Sequence, residues 1–78
     1  MTTEEFFDLL EIELNYEGLT IDEYGYDEND NYYWACIIDG DQYWNIVFRP
    51  EDELDDEYVL LIAQRVFKER NDSKKSIS

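Results

Sequence analysis

The 78-residue chain contains no histidine, one cysteine and one proline. Without histidine it has no side chain whose ordinary pKa lies near neutrality, and no base follows Cys36 closely enough to activate it as a nucleophile. A single cysteine forms no internal disulfide, which is typical of a protein in a reducing cytoplasm. We therefore interpret Cys36, between Ala35 and Ile37, as a packing residue of a strand.

Basic residues and long apolar runs are also scarce. Lys and Arg number 6 against 21 Asp and Glu, which gives a formal net charge of −15. Such a surface repels phosphates, so we expect no direct binding of nucleic acid. The chain has no run of about 18 apolar residues that would span a membrane, and its acidic start lacks the apolar segment of a signal peptide.

The residues that are abundant indicate a folded domain. Hydrophobic residues make up 44% of the chain and aromatic residues 17%, whereas disordered acidic chains are poor in both. A chain this short forms one domain and buries only about 60% of its unfolded surface. We predict a single domain over residues 1–70 and a polar, flexible tail over residues 71–78.

The charge is distributed unevenly along the chain. Residues 1–48 hold thirteen acidic residues and no basic one, whereas residues 65–78 hold five basic residues and two acidic ones. The basic residues therefore gather at the end of the last predicted helix and in the tail. Elsewhere the carboxylates have no Lys or Arg nearby in the sequence, which predicts a mostly negative surface.

A first helix is predicted near residues 3–15. Thr2 and Glu5 have the spacing of a capping box. Three apolar residues then recur at helical spacing: Phe6, Leu10 and Leu14. Gly18 supplies the stop, because it takes positive φ values without strain.

Three strands are predicted to follow. Residues 19–24 alternate as a short strand, residues 25–31 are a polar loop, and residues 32–38 are the strongest strand signal. A two-residue turn at Asp39-Gly40 or Gly40-Asp41 leads into a return strand over residues 42–49.

The length of this turn decides which side chains share a face of the sheet. With two residues, one face carries Tyr33, Ala35, Ile37, Trp44, Ile46 and Phe48. The second face then carries Trp34, Ile38, Tyr43 and Val47. A three-residue loop would exchange the two sets on the first strand of the hairpin. We favour the two-residue turn, although it leaves an unusually apolar second face.

A second helix is predicted from about residue 52 to 70. Glu51-Asp52-Glu53 suits a helix start, because the N-terminal end of a helix favours negative charge. An apolar stripe follows at Leu54, Tyr58, Leu61, Ile62 and Val66. We predict an α+β fold with the order helix, three-stranded antiparallel sheet, helix, and with both helices on one sheet face.

No motif for catalysis or metal binding is complete. Asp27-x-Asn29-x-Asn31 copies the first three ligand positions of an EF-hand, but Tyr32 and Ile38 replace its required Gly and Glu. A weak adventitious cation site stays open, and we expect no cofactor or dedicated metal site. Nothing in the spacing separates two carboxylates into the different environments that acid–base catalysis needs, so we predict no enzyme.

The acidic residues themselves suggest a partner. Carboxylates two apart on a strand are about 6.6 Å apart, so rows of them approach the charge density of a nucleic-acid backbone. A basic DNA-binding cleft would attract them as it attracts phosphate. We predict seven partner contacts beside strand ends, at Asp22, Glu23, Asp27, Glu28, Asp30, Asp39 and Asp41. Tyr24 and Tyr26 are predicted as apolar anchors beside them.

In architecture and charge, residues 3–70 resemble small phage-encoded inhibitors of bacterial defence nucleases, the acidic anti-CRISPR proteins and DNA mimics. The similarity lies in the hairpin over residues 37–43 and in the acidic stretch Glu51-Asp52-Glu53. It implies an inhibitor in the cytoplasm of a bacterial host. Its acidic loop and hairpin residues would occupy the surface by which a CRISPR–Cas effector nuclease reads duplex DNA.

Two other functions are open. An immunity protein that neutralises a basic nuclease toxin would have nearly the same surface, and its genomic neighbourhood would distinguish it. A homodimer or scaffold subunit would use the second sheet face, and its molecular mass in solution would reveal it.

Overall fold

The computed structural model describes residues 1–51 and 53–77. Five elements follow one another: helix α1 (Thr3–Asn15), strands β1 (Thr20–Asp27), β2 (Tyr32–Asp39) and β3 (Gln42–Phe48), and helix α2 (Asp56–Ile77). The strands form one antiparallel sheet in the order β1-β2-β3. The predicted α+β fold and its element order are confirmed. Within these described ranges no helix is both long enough and apolar enough to cross a bilayer.

Helix α1 begins and ends where the sequence predicts. The Thr2 hydroxyl oxygen accepts the Glu5 backbone N–H at 3.1 Å, and the hydroxyl donates to the Glu5 carboxylate. At the other end Gly18 has φ 78°, which lets the Leu19 N–H reach the Leu14 carbonyl at 3.0 Å. The chain thus turns sharply and places Leu19, which is fully buried, beneath the helix.

Helix α2 differs from its prediction at both ends. Asp55 Oδ1 accepts the Tyr58 N–H at 2.8 Å, so Asp55 caps the helix and the first helical residue is Asp56. The predicted start at Glu51-Asp52-Glu53 is wrong, because Leu54 must enter the core before the helix begins; Asp52 lies outside the described residues. The helix also continues through residues 71–77, where the sequence analysis predicts a flexible tail. This stretch contains no Gly or Pro that would end the helix. The last residue of that tail, 78, is outside the described residues.

The β2–β3 hairpin has the predicted two-residue turn. Asp39 pairs with Gln42, and Gly40 between them has φ 61°, as turns of the primed type require. The predicted face is confirmed: the six side chains that point toward the helices are Tyr33, Ala35, Ile37, Trp44, Ile46 and Phe48.

Strand β1 is longer than predicted and contains a bulge. It ends at Asp27 instead of residue 24, and Asp22 is the extra residue, because Ile21 pairs with Ile37 while Glu23 pairs with Cys36. The bulge changes the phase of the strand, so Tyr24 and Tyr26 point toward the helices. The Tyr24 ring stacks on Phe7 at 4.2 Å between centroids. Residues 25–27, which the polar composition assigns to a loop, instead pair with Trp34, Tyr33 and Tyr32 of β2.

Both helices cover the same face of the sheet, as predicted, and they run in the same direction. Near their starts the Phe6 and Tyr58 rings are 5.8 Å apart. Near their ends the Arg70 guanidinium lies 3.6 Å from the Glu17 carboxylate and donates to the Glu17 carbonyl. Their buried stripes close the core over the sheet with Phe6, Phe7, Leu10, Leu14, Val59, Ile62, Ala63 and Val66.

Candidate functional site on the outer face of the sheet

The face of the sheet that points away from the helices, here called the outer face, carries side chains in register from all three strands. Its rows are Thr20–Ile38–Tyr43, Glu23–Cys36–Asn45, Gly25–Trp34–Val47 and Asp27–Tyr32. The rows alternate with those that point into the core, so their positions follow directly from the strand pairing.

The centre of the outer face is apolar. Six side chains form what we call the apolar strip: Tyr32, Trp34, Cys36, Ile38, Tyr43 and Val47. None of them belongs to the buried core. Tyr43 is 74% exposed and Val47 is 51% exposed, whereas the four residues on β2 are half-buried by their neighbours. A contiguous apolar surface of this kind on a sheet face is typical of a binding surface.

Trp34 packs over Gly25 of the neighbouring strand, where the absence of a side chain leaves room for the indole ring. A Cβ atom added to Gly25 would lie 2.7 Å from Cζ2 of Trp34. The indole therefore lies across the β1 backbone, in space that any other residue at position 25 would occupy, and it shields the glycine as aromatic residues do on sheets. Trp34 is thus pre-ordered as part of the apolar strip.

Six of the seven predicted acidic contacts border this strip, and we call these six the acidic rim. They are Asp22 and Glu23 on β1, Asp27, Glu28 and Asp30 at the β1–β2 turn, and Asp41 at the β2–β3 turn. The seventh, Asp39, pairs with Gln42 in a row that alternates to the helix side of the sheet. The two turns lie at opposite ends of β2, about 23 Å apart at about 3.3 Å per residue. Carboxylates consequently border the apolar strip along one edge and at both ends.

The rim charges are not neutralised within the described part of the chain. The ion pairs found there join Arg65 to Glu69 and Arg70 to Glu17, and neither involves the rim. On its fourth side the strip is bordered by two basic residues, Arg49 and Arg65, which lie beside Tyr32 and Val47. The field over the outer face therefore stays negative and favours a basic partner.

Asp27 has a structural as well as an electrostatic role. Its Oδ1 accepts the N–H groups of Asn29 at 2.9 Å and Asp30 at 3.1 Å, and Asn31 completes the turn with φ 56°. The EF-hand-like run is therefore a turn motif, and among the described residues no cluster of three potential metal ligands occurs.

The same carboxylate acts on its cross-strand neighbour. The negative charge of Asp27 raises the pKa of Tyr32, and a hydrogen bond to Asp27, partial desolvation and the charge of Asp30 add to this, while Arg49 opposes it. The phenol at this end of the apolar strip therefore stays protonated to a higher pH than a free tyrosine does.

Tyr24 and Tyr26 do not join the acidic rim. They lie on the helix side of the sheet, where Tyr26 packs on Tyr33 at 4.7 Å and donates to Asn31 Oδ1 at 3.1 Å. The sequence contains a signal for this orientation, because the apolar spacing 19, 21, 24, 26 shifts by one residue where the bulge lies. The aromatic side chains that the rim does border are Tyr32, Trp34 and Tyr43.

Each edge of the sheet receives one hydrogen bond from a helix side chain. The Glu11 carboxylate accepts the Ile21 N–H at 2.9 Å on β1, and Arg65 Nη1 donates to the Val47 carbonyl at 2.7 Å on β3. Such contacts obstruct the addition of a further strand. A partner is therefore expected to approach the face of the sheet rather than its edges.

No protein family model, curated protein or solved structure matches this chain.

Proposed function

We propose that this protein is a non-enzymatic inhibitor that binds the nucleic-acid-binding surface of a basic protein in the cytoplasm of a bacterial host. The candidate target is a defence nuclease of the CRISPR–Cas effector class. The observation that carries the proposal is the acidic rim: six carboxylates border one sheet face on three sides without an ion pair among the described residues. A cleft that binds phosphates would attract this arrangement for the same electrostatic reason.

Inhibition would act by occupancy. The negative field steers the protein to a basic cleft, and the bound sheet then covers residues that would otherwise contact the DNA backbone. Association should be fast at low ionic strength and should weaken as salt shortens the Debye length from about 10 Å at 0.1 M to about 3 Å at 1 M.

The test is capture by a guide-loaded CRISPR effector nuclease, with and without its target DNA, at low and high salt. We expect capture at low salt that pre-bound DNA abolishes and high salt weakens. Capture that DNA does not affect would contradict mimicry. Failure to capture at any salt would reject this target class, and a basic nuclease toxin is then the second bait.

Charge-matched variants separate a defined surface from general acidity. The rim variant combines Glu23→Gln, Glu28→Gln and Asp30→Asn, and the control combines Asp8→Asn, Glu51→Gln and Glu53→Gln. Both remove three exposed charges, but the control charges lie on α1 and before α2. We expect the rim variant to weaken capture about tenfold, or 1.4 kcal/mol, and the control to have little effect. Equal losses would show that only net charge matters.

A further inference from the structure

We infer that the outer face binds a protein surface that presents an apolar patch bordered by Lys or Arg, and that it does not bind a second copy of this chain. The inference deepens the proposed function, since it specifies the chemistry of the partner at the same site. It rests on two features that the structure brings together, the apolar strip and the acidic rim that borders it.

A partner that offered only a phosphate-binding groove would leave the apolar strip without a matching surface. Carboxylates alone would match such a groove, yet Trp34, Tyr43 and Val47 stand partly or mostly exposed between them. Trp and Tyr are the residues that most often dominate binding energy when they are buried at the centre of an interface. Trp34 is already ordered over Gly25, so little conformational freedom would be lost when a partner covers it.

The distribution of charge disfavours a second copy. Stacked sheets keep their strands within about 30° of each other, and a two-fold dimer uses the same patch on both subunits. Since both ends of the outer face carry an acidic turn, either orientation of the two-fold axis sets an acidic turn of one subunit against an acidic turn of the other. A rim of Lys and Arg would meet the same carboxylates favourably.

Size leads to the same conclusion. Three strands spaced about 4.8 Å apart and about 23 Å long give a face of about 300 Å². A stable interface needs about 800 Å² from each partner. A face-to-face dimer would have to extend beyond the apolar strip and would then bury the carboxylates of both rims, whereas a partner with a basic border gains from the same extension.

The first measurement is sedimentation equilibrium of the whole protein at 0.1 M and 1 M salt. We expect a monomer at both concentrations. A dimer that Val47→Asp dissociates would overturn the inference, because it would show that a second copy covers the outer face.

The second measurement uses three short peptides of equal length as probes, with alternating Lys-Val, Lys-Ser or Glu-Val, and maps their binding by amide and indole NMR shifts. We expect the Lys-Val peptide to shift the signals of Trp34, Ile38 and Val47 and to bind about tenfold more tightly than the Lys-Ser peptide. The Glu-Val peptide should not bind. Equal affinity for Lys-Val and Lys-Ser would overturn the inference, since charge alone would then explain binding.

Matched variants locate the contact. Val47 is 51% exposed on the outer face and Leu60 is 49% exposed on the helix layer, so Val47→Asp and Leu60→Asp introduce one charge at equally exposed aliphatic positions. We expect only Val47→Asp to weaken Lys-Val binding, by about tenfold. Tyr43→Ser, at a 74% exposed site, gives a second variant of the same face if Val47→Asp reduces folding. Equal effects of Val47→Asp and Leu60→Asp would overturn the inference.

The two proposals can fail separately. Selective peptide binding without capture of the nuclease would keep the partner chemistry and reject the proposed target. Capture of the nuclease that neither Val47→Asp nor Tyr43→Ser weakens would keep the proposed function and reject the apolar contact.

Discussion

The inner and outer faces of the sheet are made by the same three strands, but helices cover only one of them. On β3, Ile46 is 1% exposed while its neighbour Val47 is 51% exposed, although both are branched aliphatic residues suited to a core. The difference comes from α1 and α2, whose buried stripes both face the side of Ile46. Because the helices cover only one face of a sheet that is apolar on both, the apolar strip of the outer face stays uncovered. Carboxylates border this strip.

The largest difference in the free energy of unfolding should appear when Ile46 and its neighbour Val47 are each truncated to Ala. Ile46→Ala leaves a cavity in the core and should lower the free energy of unfolding by about 2–5 kcal/mol. Val47→Ala removes atoms that are already half in water and should cost about 0.5 kcal/mol or less. Urea unfolding measures both. Similar losses at the two positions would mean that the outer face is buried in solution.

A smaller effect is expected for Gly25→Ala, which tests how the outer face is organised. The added Cβ would lie 2.7 Å from the Trp34 ring, so the ring must move, at a cost of about 1–3 kcal/mol, as is usual for overpacking. The control is the same change in a Trp34→Ala background, where no ring is displaced. Thermal unfolding of the four proteins gives the coupling between the two sites, and additive losses would contradict the contact.

Arg65→Met tests the protection of the β3 edge. It removes the hydrogen bond to the Val47 carbonyl and should cost about 0.5–1.5 kcal/mol. Because an exposed edge carbonyl invites pairing with another strand, the variant should also self-associate more readily on concentration. Lys68→Met, at an exposed position of the same helix, is the control for lost charge. The edge function is rejected if both variants stay equally monomeric by light scattering.

The smallest change in the free energy of unfolding is expected from raising the pH. The charge of Asp27 raises the pKa of Tyr32, and burial raises the pKa of Tyr58. Because the folded state favours the protonated phenols, the stability they contribute is complete below about pH 10, the ordinary value, and is lost as pH rises through the folded pKa. The free energy of unfolding should therefore fall in alkali.

The variant Asp27→Asn distinguishes the titration of Tyr32 from that of Tyr58. It keeps an Oδ1 acceptor for the turn but removes the charge, so the pKa of Tyr32 should fall toward its ordinary value while Tyr58 is unaffected. Absorbance titration of the phenolates near 295 nm measures this. An unchanged titration would show that Asp27 does not govern Tyr32.

Local signals in the sequence located much of the fold. Thr2 and Glu5 mark the start of α1, Gly18 marks its end, and the turn at Gly40 sets which residues of β2 and β3 share a face. Each of these depends on a few neighbouring residues and their backbone conformations, which is why it is legible in the sequence. The prediction of the rim residues as partner contacts likewise used only their positions beside strand ends.

Other features depended on contacts between distant residues. The start of α2 is displaced to Asp56 because Leu54 is needed in the core and Asp55 supplies the cap. Strand β1 continues past Tyr24 to Asp27, where Trp34 packs over Gly25 and Tyr33 packs on Tyr26. A polar segment such as residues 25–31 gives no local sign of the aromatic side chains that pack on it from the next strand.

The sequence by itself determined the elements, the α+β class and the pairing of β2 with β3, because periodicity, caps and turn residues act over a few residues. Only the tertiary structure decided where α2 begins, how the bulge at Asp22 turns Tyr24 and Tyr26 toward the helices, and that the acidic residues border the apolar strip on three sides. Those outcomes depend on packing between α1, α2 and the sheet, which joins residues that are distant in the sequence.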